Sequence, residues 1–343
     1  MEVVEDLDEN SYSGDEVVIF DRNGFKGGKQ FVDSGSGYSH YTLERIRRRE
    51  LKWMDVLSNW EFWMSTRSHW VRDRCRKGIP PAIRGRVWQY LCGSYLMVQR
   101  NPGRYQSLLS QPTEEKTIVQ IRQDINRQFP NHAIFCDSNG IGQTSLFNVL
   151  KAFCNSHQET GYCQAHAPLA SALLIHLPEE EAFWTFCTIC ERYMPDYFED
   201  NLIRLKVELN MLQALCARYL PKVHEHLMRH KVEPIFFAVD WFMCLFTRNL
   251  PWDCVLRILD MFFFEGIKVI FRIALAILSL LIGSPDSRRR LNSANDLLES
   301  LRRLPEEVTS EKTLLPASMH YIHITDQVLM NEYDRQRKLI SGS

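Results

Sequence analysis

Apolar residues along this chain recur at intervals of three and four, in one stretch after another, with proline or glycine at the breaks. That spacing lays a stripe along an α-helix, because 3.6 residues complete a turn. The pattern predicts helices at about 117–129, 143–156, 164–176, 179–194, 201–218, 221–230, 234–247, 252–263, 267–282 and 291–303. A final segment at 312–340 reads as partly helical and charged at its end. Short breaks such as "NPGR", "SNGIGQ", "MPDYF", "RNLPW", "FFEG" and "IGSPD" leave little room for other structure. Strand-like alternation is scarce and no internal repeat shows. The expected fold class is all-α.

Of the 343 residues, 45% are apolar and 24% charged, enough to bury a core in one large domain or two ordinary ones. A net charge of −1 gives no electrostatic reason to expect nucleic acid or a bulk grip on membranes. The ten cysteines are scattered singly, as in reduced intracellular proteins. Cys187 and Cys190 form one CxxC with no second pair at zinc spacing, and read as a helical core pair. The acidic start "MEVVEDLDEN" has no apolar signal region. The most apolar run, 269–283, is shorter than a bilayer span and carries Arg272, so a buried helix is expected. These features together predict a cytoplasmic protein.

Residues 1–40 hold seven acids in the first sixteen positions and then Gly/Ser-rich sequence, the composition of a mostly disordered leader. One island interrupts it at 17–28, "VVIFDRNGFKGG". From Tyr41 the texture changes. Trp53, Trp60, Trp63 and Trp70 share a helical stripe with Ile46, Val56 and Leu57, while ten basic residues against five acids between 41 and 77 form a solvated face. Aromatics among arginines could contact nucleic acid, but the periodicity favours core. Pro80 and Pro81 then open a helix that Gly93 closes.

Three stretches carry candidate chemistry. In "IVQIRQDINRQFPNH" (118–132), Ile121, Asp124 and Arg127 fall three apart on one face, and Asp124 can pair with Arg127 across a turn. On spacing alone this is an ordinary surface ion pair worth under about 1 kcal/mol. In "IRGRVW" (83–88), Arg84 and Trp88 at i, i+4 suit a guanidinium over an indole. In "GYCQAHAP" (161–168), Gln164 stands at the start of an apolar helix with Tyr162 just before it. An amide there must find partners or lose about a kilocalorie or more. His224, His226 and His230 lack the glutamate of a HExxH site, so no metal is expected. A metal-dependent enzyme on that cluster is the most distant alternative. No Walker loop, GxSxG or paired-carboxylate motif occurs.

Lys77-Gly-Ile-Pro followed by Arg84-x-x-x-Trp88, then Ile121-x-x-Asp124-x-x-Arg127, then Gly161-Tyr-Cys-Gln164, resembles the TBC domain of Rab GTPase-activating proteins. "HEHL" (224–227), "WFMCLFTRNLP" (241–251) and "RILDMFFFEG" (257–266) resemble its later motifs, and "DRNGFKGG" with Ala165-His-Ala-Pro168 resembles its EPI64-like subfamily. The resemblance implies an all-α fold of two packed helical lobes. It places a TBC domain with an N-terminal helical extension at 41–310, its core at about 72–285, between the leader at 1–40 and a partly helical tail at 311–343. It implies a GTPase activator, not an enzyme in its own right. Arg127 and Gln164 would be an arginine and a glutamine finger supplied in trans to a GTP-bound Rab. Asp124 and Tyr162 would position the fingers, with Ile121, Arg84 and Trp88 in support. No cofactor of its own is implied, since the Rab carries GTP and Mg2+. Trafficking at the cytosolic face of endosomal or plasma membranes is implied too, with recruitment through the Rab or an adaptor. The end "RKLISGS" gives no PDZ-type ligand.

Three positions depart from the family pattern. Leu259 precedes Asp260 where Trp-Asp is usual, Lys206 stands where an acid is common, and His166 follows the glutamine in place of the usual residues. They motivate a second reading, a TBC scaffold that binds a Rab or another trafficking partner without catalysis.

Overall fold

The computed structural model describes residues 20–26, 40–199 and 201–341. Most of the expected leader thus lies outside the described residues. The first lobe follows an entry of three helices: His40–Ser58 (α1), Trp60–Thr66 (α2) and Ser68–Arg76 (α3). It comprises Arg84–Cys92 (α4), Ser94–Arg100 (α5), Arg104–Ser110 (α6), Glu115–Ile125 (α7), Ile141–Ser156 (α8), His166–Leu174 (α9) and Glu179–Thr188 (α10). The second holds Ile203–Tyr219 (α11), Pro221–Arg229 (α12), Val239–Met243 (α13), Trp252–Glu265 (α14) and Lys268–Ile282 (α15). It continues through Pro285–Arg290 (α16), Ala294–Arg302 (α17), Glu306–Thr309 (α18), Glu311–Met319 (α19) and Asp326–Ser341 (α20). Among the described residues no strand forms, and two isolated bridges, Phe20 with Lys26 and Phe25 with His132, are the extent of β pairing.

Local chemistry sets the breaks. Pro81 begins the 3-10 turn before α4, and Gly93 ends α4 at φ 82°. The tryptophan stripe of 41–77 is three helices, because Asn59 and Arg67 leave helical backbone. The resulting corners let Trp63 stack on Trp70 at 4.4 Å with the Arg74 guanidinium 3.3 Å from the Trp70 ring. The expected helix at 234–247 shrinks to α13, because Leu245 and Phe246 adopt φ of 47° and 62° and turn the run "WFMCLF" into buried, irregular packing. Gly78 takes φ +86°, where a Cβ would come within 2.6 Å of Arg257 Nε. The glycine of "KGIP" is therefore required by both backbone and neighbour.

The lobes meet where α3 and α4 pack on α14. Glu265, near the end of α14, accepts from Arg76 of α3 at 2.6 and 2.7 Å and from Arg272 of α15 at 2.7 Å. Burial opposes its ionisation, but Arg76 and Arg272 outweigh burial and hold the carboxyl below the usual range. Arg272 also donates to the Ile322 and Ile324 carbonyls at 3.0 and 2.8 Å. This ties the segment after α19, with Ile324 fully buried, to α15. The apolar run at 269–283 is a core helix, and no helix among the described residues is long and apolar enough to cross a membrane.

Candidate functional site

α7 ends at Ile125, four residues before the expected 129. Ile121 is wholly buried and anchors the helix, while Asp124 on its last turn is buried with its carboxylate facing outward partners. Arg127, just past the terminus, gives one edge of its guanidinium to Asp124 Oδ1. The other carboxylate oxygen, Oδ2, accepts from the Tyr162 hydroxyl at 2.6 Å. Burial pushes the Tyr162 phenol well above its ordinary pKa, and Asp124 pushes it further, so it stays a donor. The expected i, i+3 pair is therefore more than a surface contact. Asp124 joins the end of α7 to the loop that leads into α9. Gln128 Nε2 closes the helix end by donating to the Asp124 carbonyl at 2.9 Å.

Gln164 sits in the turn before α9 and is exposed. The desolvation penalty expected from its sequence context does not arise, because the apolar helix begins two residues later at His166 and turns its side chains inward. Arg127 is half exposed, at 51% of its side chain. A hollow of about 400 Å³ at the end of α7 is lined by Arg122, Ile125, Asn126, Asn139, Gln143, Thr144 and Phe147. A group that acts inside its own protein is usually enclosed. These two instead stand at the surface, held from beneath.

His166 supplies much of that hold. Its ring is wholly buried, and Nδ1 accepts from the Cys163 amide at 3.1 Å while its own amide donates to the Cys163 carbonyl at 2.9 Å. These bonds clamp the turn carrying Gln164. The accepting role at Nδ1 leaves the proton on Nε2, which lies among the edges and faces of Phe153, Phe186 and Phe198 at centroid distances of 4.9, 5.4 and 4.5 Å. His166 thus braces the turn and has no surface to offer a partner, whereas Lys206 is exposed on α11. Burial lowers the His166 pKa to about 3, and likewise His176, again to about 3. Unfolding returns both to about 6.5. The unfolded chain therefore binds more protons than the native one below about pH 6.5, and stability falls as pH drops towards 3. Glu265 acts in the same direction through its depressed pKa, its contribution fading as pH falls through the ordinary carboxylate range. Urea midpoints measured from pH 7.5 to 4.5 should decline, with a shallower slope in His166→Asn, whose amide oxygen can still accept from Cys163.

Arg84 and Trp88 do not meet as guanidinium over indole. Both donate to Asp260 of α14: Arg84 Nε at 3.1 Å and Trp88 Nε1 at 2.8 Å to Oδ1, while the Ile79 amide donates to Oδ2 at 2.6 Å. Arg84 Nη2 returns to the Ile79 carbonyl at 2.6 Å. Asp260 is fully buried. Its signal was visible as a lone acid in the apolar run "RILDMFFF", where a buried carboxylate must be paired. Leu259 beside it is also buried, filling the usual tryptophan position with a smaller side chain. Arg84 and Trp88, both buried, brace the lobe junction through Asp260. In the histidine cluster, His226 Nε2 contacts the Leu291 carbonyl at 2.7 Å and the His230 ring packs edge-on against it. Cys187 and Cys190 are core residues, as their spacing predicts.

Residues 81–282 match the family model described as the Rab-GTPase-TBC domain. The chain belongs to this family. The matched span includes every candidate residue from Arg84 to Gln164, together with Asp260. TBC1 domain family member 10A of Mus musculus is 40% identical over 313 residues, 91% of this chain and 62% of that protein. TBC1 domain family member whacked of Drosophila melanogaster is 41% identical over 320 residues, 92% of this chain and 86% of that one. The chain thus spans under two thirds of the mouse relative's length. Among solved structures, the Chlamydomonas flagellar RabGAP TBC domain shares the fold with a TM-score of 0.67 at 23% identity, covering 88% of this chain and 99% of that one. The two helical lobes are the TBC fold, and the Asp124 bridge lies in its N-terminal lobe.

Proposed function

We propose that this TBC-family chain accelerates GTP hydrolysis by a GTP-bound Rab, with Arg127 and Gln164 entering the Rab's nucleotide site. The observation that carries the reading is the Asp124 carboxylate, which holds Arg127 on one oxygen and Tyr162 on the other. It thereby sets the two finger segments in one frame while both finger side chains remain exposed. Arg127 would neutralise charge on the transferring phosphoryl group, and Gln164 would orient the attacking water. The Rab brings GTP and Mg2+. Action in vesicle trafficking, on endosomal or plasma membranes reached through the Rab or an adaptor, follows as part of the same proposal. The test is single-turnover GTP hydrolysis across a panel of purified GTP-loaded Rabs, comparing wild type with Gln164→Ala. Strong stimulation of one or a few Rabs, lost in the variant, is the expected result. Tight binding to a GTP-loaded Rab without turnover would replace this reading with a non-catalytic scaffold.

A further inference from the structure

The island at 17–28 has no place in the activity so far, and it precedes the span matched by the family. Its described part, residues 20–26, folds as a tight clip. Asp21 Oδ1 accepts from the Asn23 and Phe25 amides at 2.8 and 2.9 Å, and the Asp21 amide donates to the Phe25 carbonyl at 2.8 Å. Gly24 at φ +87° makes the turn, and a Cβ there would lie 2.7 Å from His132 Nε2. One edge of the clip pairs with the segment that follows Arg127. The Lys26 amide donates to the Asn131 carbonyl at 2.7 Å, and the Ala133 amide donates to the Gly24 carbonyl at 2.8 Å. His132 Nε2 lies 2.9 Å from the Asn23 carbonyl. The other edge is fastened to the start of α14, where Asp253 accepts from Arg22 Nη2 at 2.8 Å and Asn23 Nδ2 at 3.0 Å.

Between these edges the Phe25 ring meets Phe129, His132 and Trp252 at 6.0, 4.8 and 5.6 Å. Phe129 is two residues beyond Arg127 and has φ 41°, a conformation that costs a bulky residue on the order of 1–3 kcal/mol unless its surroundings impose it. Its ring also touches Trp252 directly at 5.2 Å, so Phe25 completes an aromatic clamp rather than forming it alone. Helix α7 has already ended, and the course of the chain after Arg127 is set by what holds residues 129–133.

We propose that this clip is a positioning device for Arg127: residues 20–26 fasten the post-finger segment to α14 and thereby fix the direction from which the guanidinium reaches a bound Rab. The inference rests on the reading of Arg127 as a finger. Phe25 and Gly24 are positioning residues, distant from the reacting atoms.

The experiment compares the 343-residue wild type, Phe25→Ala and Phe25→Leu in two measurements. The first is hydrogen–deuterium exchange of the free chain over 124–135, which needs no Rab. The second is the maximal single-turnover rate and half-saturating concentration on the Rab that wild type stimulates best. Phe25→Ala should speed exchange at 129–133 and lower the maximal rate by roughly 10- to 100-fold, as small misplacements of a catalytic group do. The half-saturating concentration should hold, and Phe25→Leu should recover most of the rate. Unchanged exchange in Phe25→Ala would overturn the clip whatever the activity. Faster exchange with an unchanged rate would reduce it to a structural contact and overturn the positioning role. A wild type that stimulates no Rab would overturn the finger reading and this catalytic role together, an outcome told apart by the exchange comparison.

Discussion

Arg127→Ala is expected to lower stimulated GTP hydrolysis by roughly 10³-fold or more at saturating protein, while leaving the chain as stable as wild type to within about 1 kcal/mol. The two halves of this expectation come from the same geometry. The guanidinium is half exposed, so its removal empties no core volume, and Asp124 keeps the Tyr162 hydroxyl as a donor. On the proposed role, what would be lost is charge delivered to a transferring phosphoryl group, worth about 4–7 kcal/mol where arginine fingers operate. Arg127→Lys should recover little, because a single ammonium cannot keep one edge on Asp124 and present another to phosphate as the planar fork does. Tyr162→Phe should fall between, since it frees Asp124 Oδ2 and loosens the link between the finger segments without removing either finger. Single-turnover rates on one responsive Rab, with thermal melts of each variant, check all three. Unchanged stimulation by Arg127→Ala would sink the assigned mechanism, and a large loss of stability would show that the half-exposed guanidinium also holds the buried Asp124 carboxylate in the fold.

The helical architecture was open to reading because its cause is local. Periodic apolar residues with proline or glycine at the breaks place α8, α14 and α15 within two residues of where they stand. Helices α5 and α6 escaped the pattern, being a single short stretch each between glycines and a proline. The run at 234–247 misled for a different reason. From Trp241 to Thr247 every side chain is buried, and there periodicity carries no information about where the backbone leaves the helix. At the site, the i, i+3 spacing of Asp124 and Arg127 was legible, but the Tyr162 contact spans 38 residues and is a product of tertiary packing. The same holds for Arg84 and Trp88. Their i, i+4 spacing pointed to each other, and the structure gives both to an aspartate more than 170 residues away. His166 reads in the sequence as a departure from the family pattern, and its burial makes it part of the scaffold beneath Gln164. Spacing finds partners within a helix, and it misses a third residue that both partners prefer.

That third residue yields the largest expected effect on stability. Asp260→Ala would leave the buried Arg84 guanidinium without its carboxylate, and the Ile79 amide and Trp88 indole N–H without an acceptor. Breaking a buried pair in this way costs about 3–5 kcal/mol, a large share of the roughly 5–15 kcal/mol that holds a domain folded. Asp260→Asn should be milder but still destabilising, because its NH2 must face a donor on one side. Asp286→Ala removes a carboxylate from an exposed ion pair and should change stability by less than about 1 kcal/mol. Urea unfolding of the three variants provides the ranking. The sharper test is a double-mutant cycle with Arg84→Ala. If the carboxylate is there to answer the guanidinium, the double variant should be more stable than the sum of the single losses predicts, by about 1–3 kcal/mol, since the second substitution removes the charge that the first left stranded. Strict additivity would mean that Asp260 serves the Ile79 amide and the Trp88 indole alone. The lobe junction would then be held by neutral hydrogen bonds and packing, with Arg84 a bystander to it.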